Sequence, residues 1–181
     1  MPNPLDPPEG NWWDEPVNRR ESIWLGIAGL WSLAIFGWMS GFTRFGEQNP
    51  IGETYAVDPQ EFQAAVAEYK DAAGETDEGY LVPPGDSVYI AGLRFHWDGL
   101  PVVLEANREY DIHLGAYDVQ HGFSIRPEET LSKQINLQIF PDTEWIVPMT
   151  FEEPGTYHVI CNEFCGRGHN GMHGTLIVEE N

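Results

Sequence analysis

From Ile23 to Phe42 the chain reads IWLGIAGLWSLAIFGWMSGF, twenty residues without a charge. As a helix this run spans ~30 Å, the thickness of a bilayer's hydrocarbon core. Trp24 and Trp38 stand near its ends, where amphipathic rings favour the membrane interface. Residues 1–21 hold five prolines, Trp12, Trp13 and the pair Arg19–Arg20, and no helix is expected until Pro16 is passed. A cleaved signal usually has an apolar core of ~7–15 residues and a small-x-small site, whereas this run is longer and ends in Trp38–Met39. A retained anchor is therefore expected, with the twin arginine as an export address the alternative. Arg19 and Arg20 then place the N-terminus in the cytoplasm and the rest outside.

Polar and apolar positions change rhythm after the span. Phe62, Val66 and Tyr69 recur at i, i+4 and i+7 behind Asp58, Pro59 and Glu61, which predicts a short helix near 58–73 with a capping box, ended by Gly74. A linker over Glu75–Gly79 follows. The last hundred residues alternate in short β-branched or aromatic runs: Ser87–Ala91, Val102–Leu104, Tyr110–Leu114, Ile135–Ile139, Trp145–Thr150, Thr156–Ile160 and Thr175–Val178. Gly, Pro, Asn and Asp separate them about every ten residues, which predicts an all-β antiparallel sandwich or barrel.

Charge narrows the function. The 181 residues carry 29 acidic against 9 basic side chains, a net −20. Nucleic acid is excluded as a partner, because phosphate binding needs lysines and arginines that are missing here. Past residue 45 there are 24 acidic and 6 basic residues, so the external part carries −18. Carboxylates spread along the whole chain fit a surface adapted to a salty medium; a merely acidic exported protein is the alternative. Two cysteines rule out a disulfide-framework fold.

Both cysteines fall in one segment, Cys161-Asn-Glu-Phe-Cys165-Gly-Arg-Gly-His169-Asn-Gly-Met172-His173-Gly, between two predicted strands. A Cys161–Cys165 disulfide leaves His169 and Met172 idle. A zinc site from Cys161, Cys165, His169 and His173 wants a helix that the four glycines oppose, and it gives Met172 no role. Thiolate, imidazole and thioether together suit copper. A mononuclear site needs one cysteine; two thiolates can each bridge two ions that share one electron.

The segment resembles the dinuclear copper (CuA) loop of subunit II of haem–copper respiratory oxidases, C-x-[E/Q]-x-C-x-x-x-H-x-x-M, at Cys161, Glu163, Cys165, His169 and Met172. The family's distant histidine sits in a phrase like Asp118-Val-Gln-His121-Gly-Phe123, forty residues upstream of Cys161. The resemblance implies a cupredoxin-like Greek-key sandwich over residues 85–181, after a cytoplasmic segment (1–21), a transmembrane helix (22–42) and a linker with a short helix (43–84). By position, Cys161 and Cys165 bridge both coppers; His121 and Met172 complete one, His169 and the Glu163 carbonyl the other. Asp118 is a candidate to orient a ligand histidine, and Phe95 and Trp97 fall where the family carries aromatics near the point at which electrons arrive, with core packing of strand aromatics the equal alternative. His96 and His173 are further candidates to steady the ligands; His113 and His158 sit within strands and read as structural.

What the resemblance implies is a membrane subunit without catalytic acid, base or nucleophile. It would take electrons from a soluble cytochrome c or blue-copper protein and pass them to haem in subunit I, which reduces O2 to water. The Glu163 carboxylate can help hold magnesium or manganese at the subunit I boundary. Expected is a single-pass protein of a prokaryotic plasma membrane, of the compact oxidase branch, with the copper domain on the outer face. A copper-bearing nitric oxide reductase subunit and a membrane-anchored copper carrier are the alternatives.

Overall fold

The computed structural model describes residues 16–45, 52–130 and 132–180. Trp12, Trp13 and the prolines before Pro16 lie outside the described residues, as does residue 181. Two compact units divide the chain between Gln48 and Asn49.

The first unit is helix α1, Arg19–Phe45. Asn18 caps it: its side-chain oxygen accepts from the N–H groups of Arg20 (3.0 Å) and Glu21 (3.1 Å), and the Glu21 carboxylate accepts from the Asn18 N–H at 2.8 Å. This reciprocal box satisfies orphan donors at the start of the helix. Inside the span, the Ser32 hydroxyl donates to the Ala28 carbonyl at 2.8 Å, so that polar group is satisfied within the helix. Arg19–Phe42 is long and apolar enough to cross a membrane.

The second unit is a sandwich of two sheets. One has the order β1 (Glu53–Ala56), β10 (Thr143–Thr150), β7 (Glu109–Ala116), β4 (Ser87–Leu93), β5 (His96–Asp98). The other has the order β2 (Gly74–Glu75), β3 (Leu81–Val82), β6 (Val102–Glu105), β12 (His173–Glu179), β11 (Gly155–Cys161), β8 (His121–Pro127), β9 (Ile135–Ile139). Ile90, Ile112, Leu114 and Val147 of the first sheet are buried in one core with Phe123, Val159, Leu176 and Val178 of the second. The result is the cupredoxin-like sandwich.

Two expectations change. The sandwich is mixed, because β4 runs parallel to β7, and β6 runs parallel to both β12 and β3. The stretch read as a linker is also woven into the second unit. β1 pairs with β10, β3 pairs with β6, and helix α2 (Pro59–Ala72) packs on the outer face of the first sheet. Asp58 caps α2 by accepting from the Gln60 N–H, and Phe62, Val66 and Tyr69 are its buried stripe. Phe62 and Val66 pack on Ala91, and a Cβ at Gly115 would stand 2.5 Å from the Phe62 ring, so glycine there lets the helix seat.

Candidate metal centre

β8 and the β11–β12 hairpin are neighbours in one sheet, and their ends bring the two motifs together. β11 ends on Cys161, the chain loops out, and a 3-10 turn over His169–Gly171 returns it to Met172 and β12. The turn is held by N–H bonds from Gly171 to Gly168 and from Met172 to His169, at 2.9 and 3.0 Å. The Cys161 N–H donates to the Met172 carbonyl, and Asn162 N–H donates to the Gly122 carbonyl. A Cβ at Gly122 would lie 2.8 Å from the Glu163 nitrogen, so the residue after His121 must be small for the loop to approach.

The donor atoms converge. His121 and Met172 are fully buried, and both cysteines nearly so. His121 Nδ1 lies 3.7 Å from Cys161 Sγ, and His169 Nδ1 lies 3.7 Å from Cys165 Sγ. Met172 Sδ is 3.9 Å from Cys165 Sγ, and the Glu163 carbonyl is 3.1 Å from Cys161 Sγ. The sulfurs stand 4.0 Å apart with both thiols free, well beyond the ~2.05 Å of a disulfide, which removes that reading. The ligand atoms of His121, Cys161 and Cys165 fall within 4.8 Å of one another. His173 is not brought in: it is exposed, with Nε2 2.9 Å from the Asn170 carbonyl, and the zinc reading loses its fourth ligand.

Asp118 governs His121. Its carboxylate accepts from His121 Nε2 at 2.9 Å, from the Val119 N–H at 2.8 Å and from the Arg94 N–H at 3.0 Å. With its proton on Nε2, the imidazole turns an unprotonated Nδ1 to the sulfurs. Burial pushes the Asp118 carboxyl up, but these hydrogen bonds outweigh it and hold the group below its ordinary range. Burial first, and the neighbouring Cys161 second, push the Cys165 thiol up to about 11.

Trp97 is buried edge-on to Phe123, with ring centroids 5.6 Å apart, and 6.3 Å from His121. Phe95 lies under the loop, its ring against Gly166 and Gly168. His96 is exposed on β5, and His158 is 4.0 Å from Glu128. His113 pairs with Glu144 at 2.6 Å and stacks on Tyr89. Arg94 was not among the expected residues: its Nε donates to the Cys165 carbonyl at 2.9 Å and fastens the loop from outside. Its place beside Phe95 and Trp97 was the available signal.

No family model matches the chain. Two curated Thermus thermophilus proteins, each called cytochrome c oxidase subunit 2, are 30% identical to it over 131 residues. The match covers 72% of this chain and 91% and 73% of theirs. A chain from a cryo-EM structure of a heme-copper terminal oxidase dimer is 25% identical, with TM-score 0.57, over 89% of this chain and all of that one.

Proposed function

The chain belongs to the cytochrome c oxidase subunit 2 family, and from that premise we propose that it is the electron-accepting subunit of a haem–copper oxidase and holds a dinuclear copper centre. The observation that carries this is the meeting of two free thiols, two imidazole nitrogens, a thioether and a backbone carbonyl in one cluster, buried but for the partly exposed His169. These mostly soft and borderline donors fit copper, and a single carbonyl oxygen is far short of the oxygen shell that magnesium or calcium takes.

Cys161, Cys165, His121, His169, Met172 and the Glu163 carbonyl would hold the copper, the two cysteines as thiolates. Bound copper supplies one-electron chemistry with little rearrangement of its ligands. The protein's own residues prepare for it. Asp118 holds His121 in the ligating tautomer. Both thiols would have to lose their protons to hold the metal, against burial that favours the protonated form of Cys165. Burial of Met172 and His121 excludes water and competing ligands.

The partner is the haem-bearing subunit I, where O2 is reduced to water. α1 anchors the chain in a prokaryotic plasma membrane, with Arg19 and Arg20 on the cytoplasmic side and the copper domain outside. Glu163 keeps its carboxylate free of the copper role, 3.5 Å from Gln138, available to a magnesium or manganese ion at the subunit I boundary. A soluble cytochrome c or blue-copper protein donates the electrons.

Electron paramagnetic resonance of the copper-loaded protein tests the centre. One electron shared equally by two copper nuclei gives seven hyperfine lines. A four-line spectrum would replace the dinuclear centre with a mononuclear one.

A further inference from the structure

Beside the centre, a groove of about 270 Å³ is lined by Arg94, Val119, Phe164 and Gly166, among others. Phe164, at its edge, is 76% exposed. Lys70, Arg108 and Lys133 each pair with a carboxylate at 2.6–2.8 Å. Arg94 and Arg167 sit on or against the loop, Arg94 with its Nε 4.0 Å from the Asp118 carboxylate. Arg94 is half exposed while its Nε holds the Cys165 carbonyl, and Arg167 is exposed with no ion-pair partner among the described residues. Of the nearby carboxylates, Asp118 accepts from His121, Arg94 and Val119, while Glu163 lines the groove, half-buried and 3.5 Å from Gln138.

Resting on the electron-accepting role above, we propose that the electron donor is an acidic redox protein. Its apolar centre meets Phe164 and the loop, and its rim carboxylates pair with Arg167 and Arg94. Planar guanidinium groups suit this, because they bind carboxylates in bidentate fashion with directional hydrogen bonds. The domain's −18 charge opposes such a partner at long range. That repulsion is a screened field: it reaches ~10 Å at 0.1 M salt and ~3 Å at 1 M, while contacts at hydrogen-bond distance persist. Salt therefore removes the opposing term faster than the favourable one, and docking strengthens as salt rises. A basic donor behaves in the opposite way, attracted by the whole surface at low salt and repelled locally by Arg167.

The test uses the intact oxidase complex with two reduced donors, an acidic plastocyanin and a basic cytochrome c, mixed by stopped flow from about 0.05 M to about 2 M KCl. Arg167→Glu should lower the second-order rate with plastocyanin about tenfold and leave the cytochrome rate unchanged or higher. The same charge reversal at the remote Lys133, Lys133→Glu, should change either rate less than twofold. The wild-type plastocyanin rate should rise with salt. Equal losses with both donors would overturn the proposal and assign Arg167 to the loop or to the large subunit; no change with either would overturn it too. The copper absorption keeps this separate from the electron-accepting role. That role fails if the wild-type centre stays oxidised with both donors, whatever Arg167 does.

Discussion

Asp118 reaches the centre only through His121, and this sets it apart from the ligands. With Asp118→Ala the imidazole loses the acceptor that fixes its tautomer, and copper affinity should fall ~10–100-fold in competition with a chelator while the hyperfine pattern stays seven-line. The cysteines behave otherwise. Cys161→Ser or Cys165→Ser removes a sulfur that both ions need, and the seven-line spectrum should vanish. Met172→Leu removes a weak thioether, and both coppers should remain with a shifted reduction potential, measured by redox titration. Loss of copper from Met172→Leu as complete as from the cysteine variants would break the assignment. Cys161, Cys165, His169 and Met172 were legible because one loop carries them at fixed spacing. His121 was legible through its own phrase. Arg94 was not, since a half-exposed arginine announces its grip on the Cys165 carbonyl only after β4 and the loop have met.

At the scale of elements, α2 is a structural part of the sandwich. Phe62 is buried against the outer sheet face, with its ring over Gly115. Phe62→Ala should cost about 3 kcal/mol or more in urea denaturation, because a large ring is lost and the sheet and helix cannot collapse into its space. A change under about 1 kcal/mol would make the helix an ornament. The cap and the i, i+4, i+7 stripe made α2 readable, and seven strands were readable as β-branched runs. The strands β1, β2, β3, β5 and β8 and the parallel pairings were not. β1 is short and exposed on all four residues, so no periodicity marks it. β8 is buried through its first five residues, and a strand covered on both faces lacks alternation. The parallel pairs, β4 with β7 and β6 with β12, depend on which distant strands become neighbours, and local pattern carries no record of that.

For the whole molecule, charge and buried phenols set the conditions of stability. A net −20 repels itself, so the urea midpoint should rise between about 0.1 M and about 2 M KCl. A flat response would remove the argument for a salt-adapted surface. Alkali acts through Tyr69 and Tyr117. Burial holds both phenols well above their ordinary range, and Asp98, accepting from the Tyr117 hydroxyl at 3.1 Å, adds to the effect there. A group whose proton is held more tightly when folded contributes stability that is whole below about pH 10, where the unfolded phenol titrates, and is lost as pH rises beyond it. The urea midpoint should therefore fall above about pH 10, and less steeply in Tyr117→Phe.

The separation of forty positions from His121 to Cys161 also imposes an order on biosynthesis. Translation delivers His121 first, then the strands β9 and β10, and only later the hairpin that carries the sulfurs. A nascent chain that has emerged as far as β10 offers copper one imidazole and no thiol. The full donor set comes together only when β11 and β12 have zipped beside β8, so the candidate centre is a product of long-range folding and no single segment carries it.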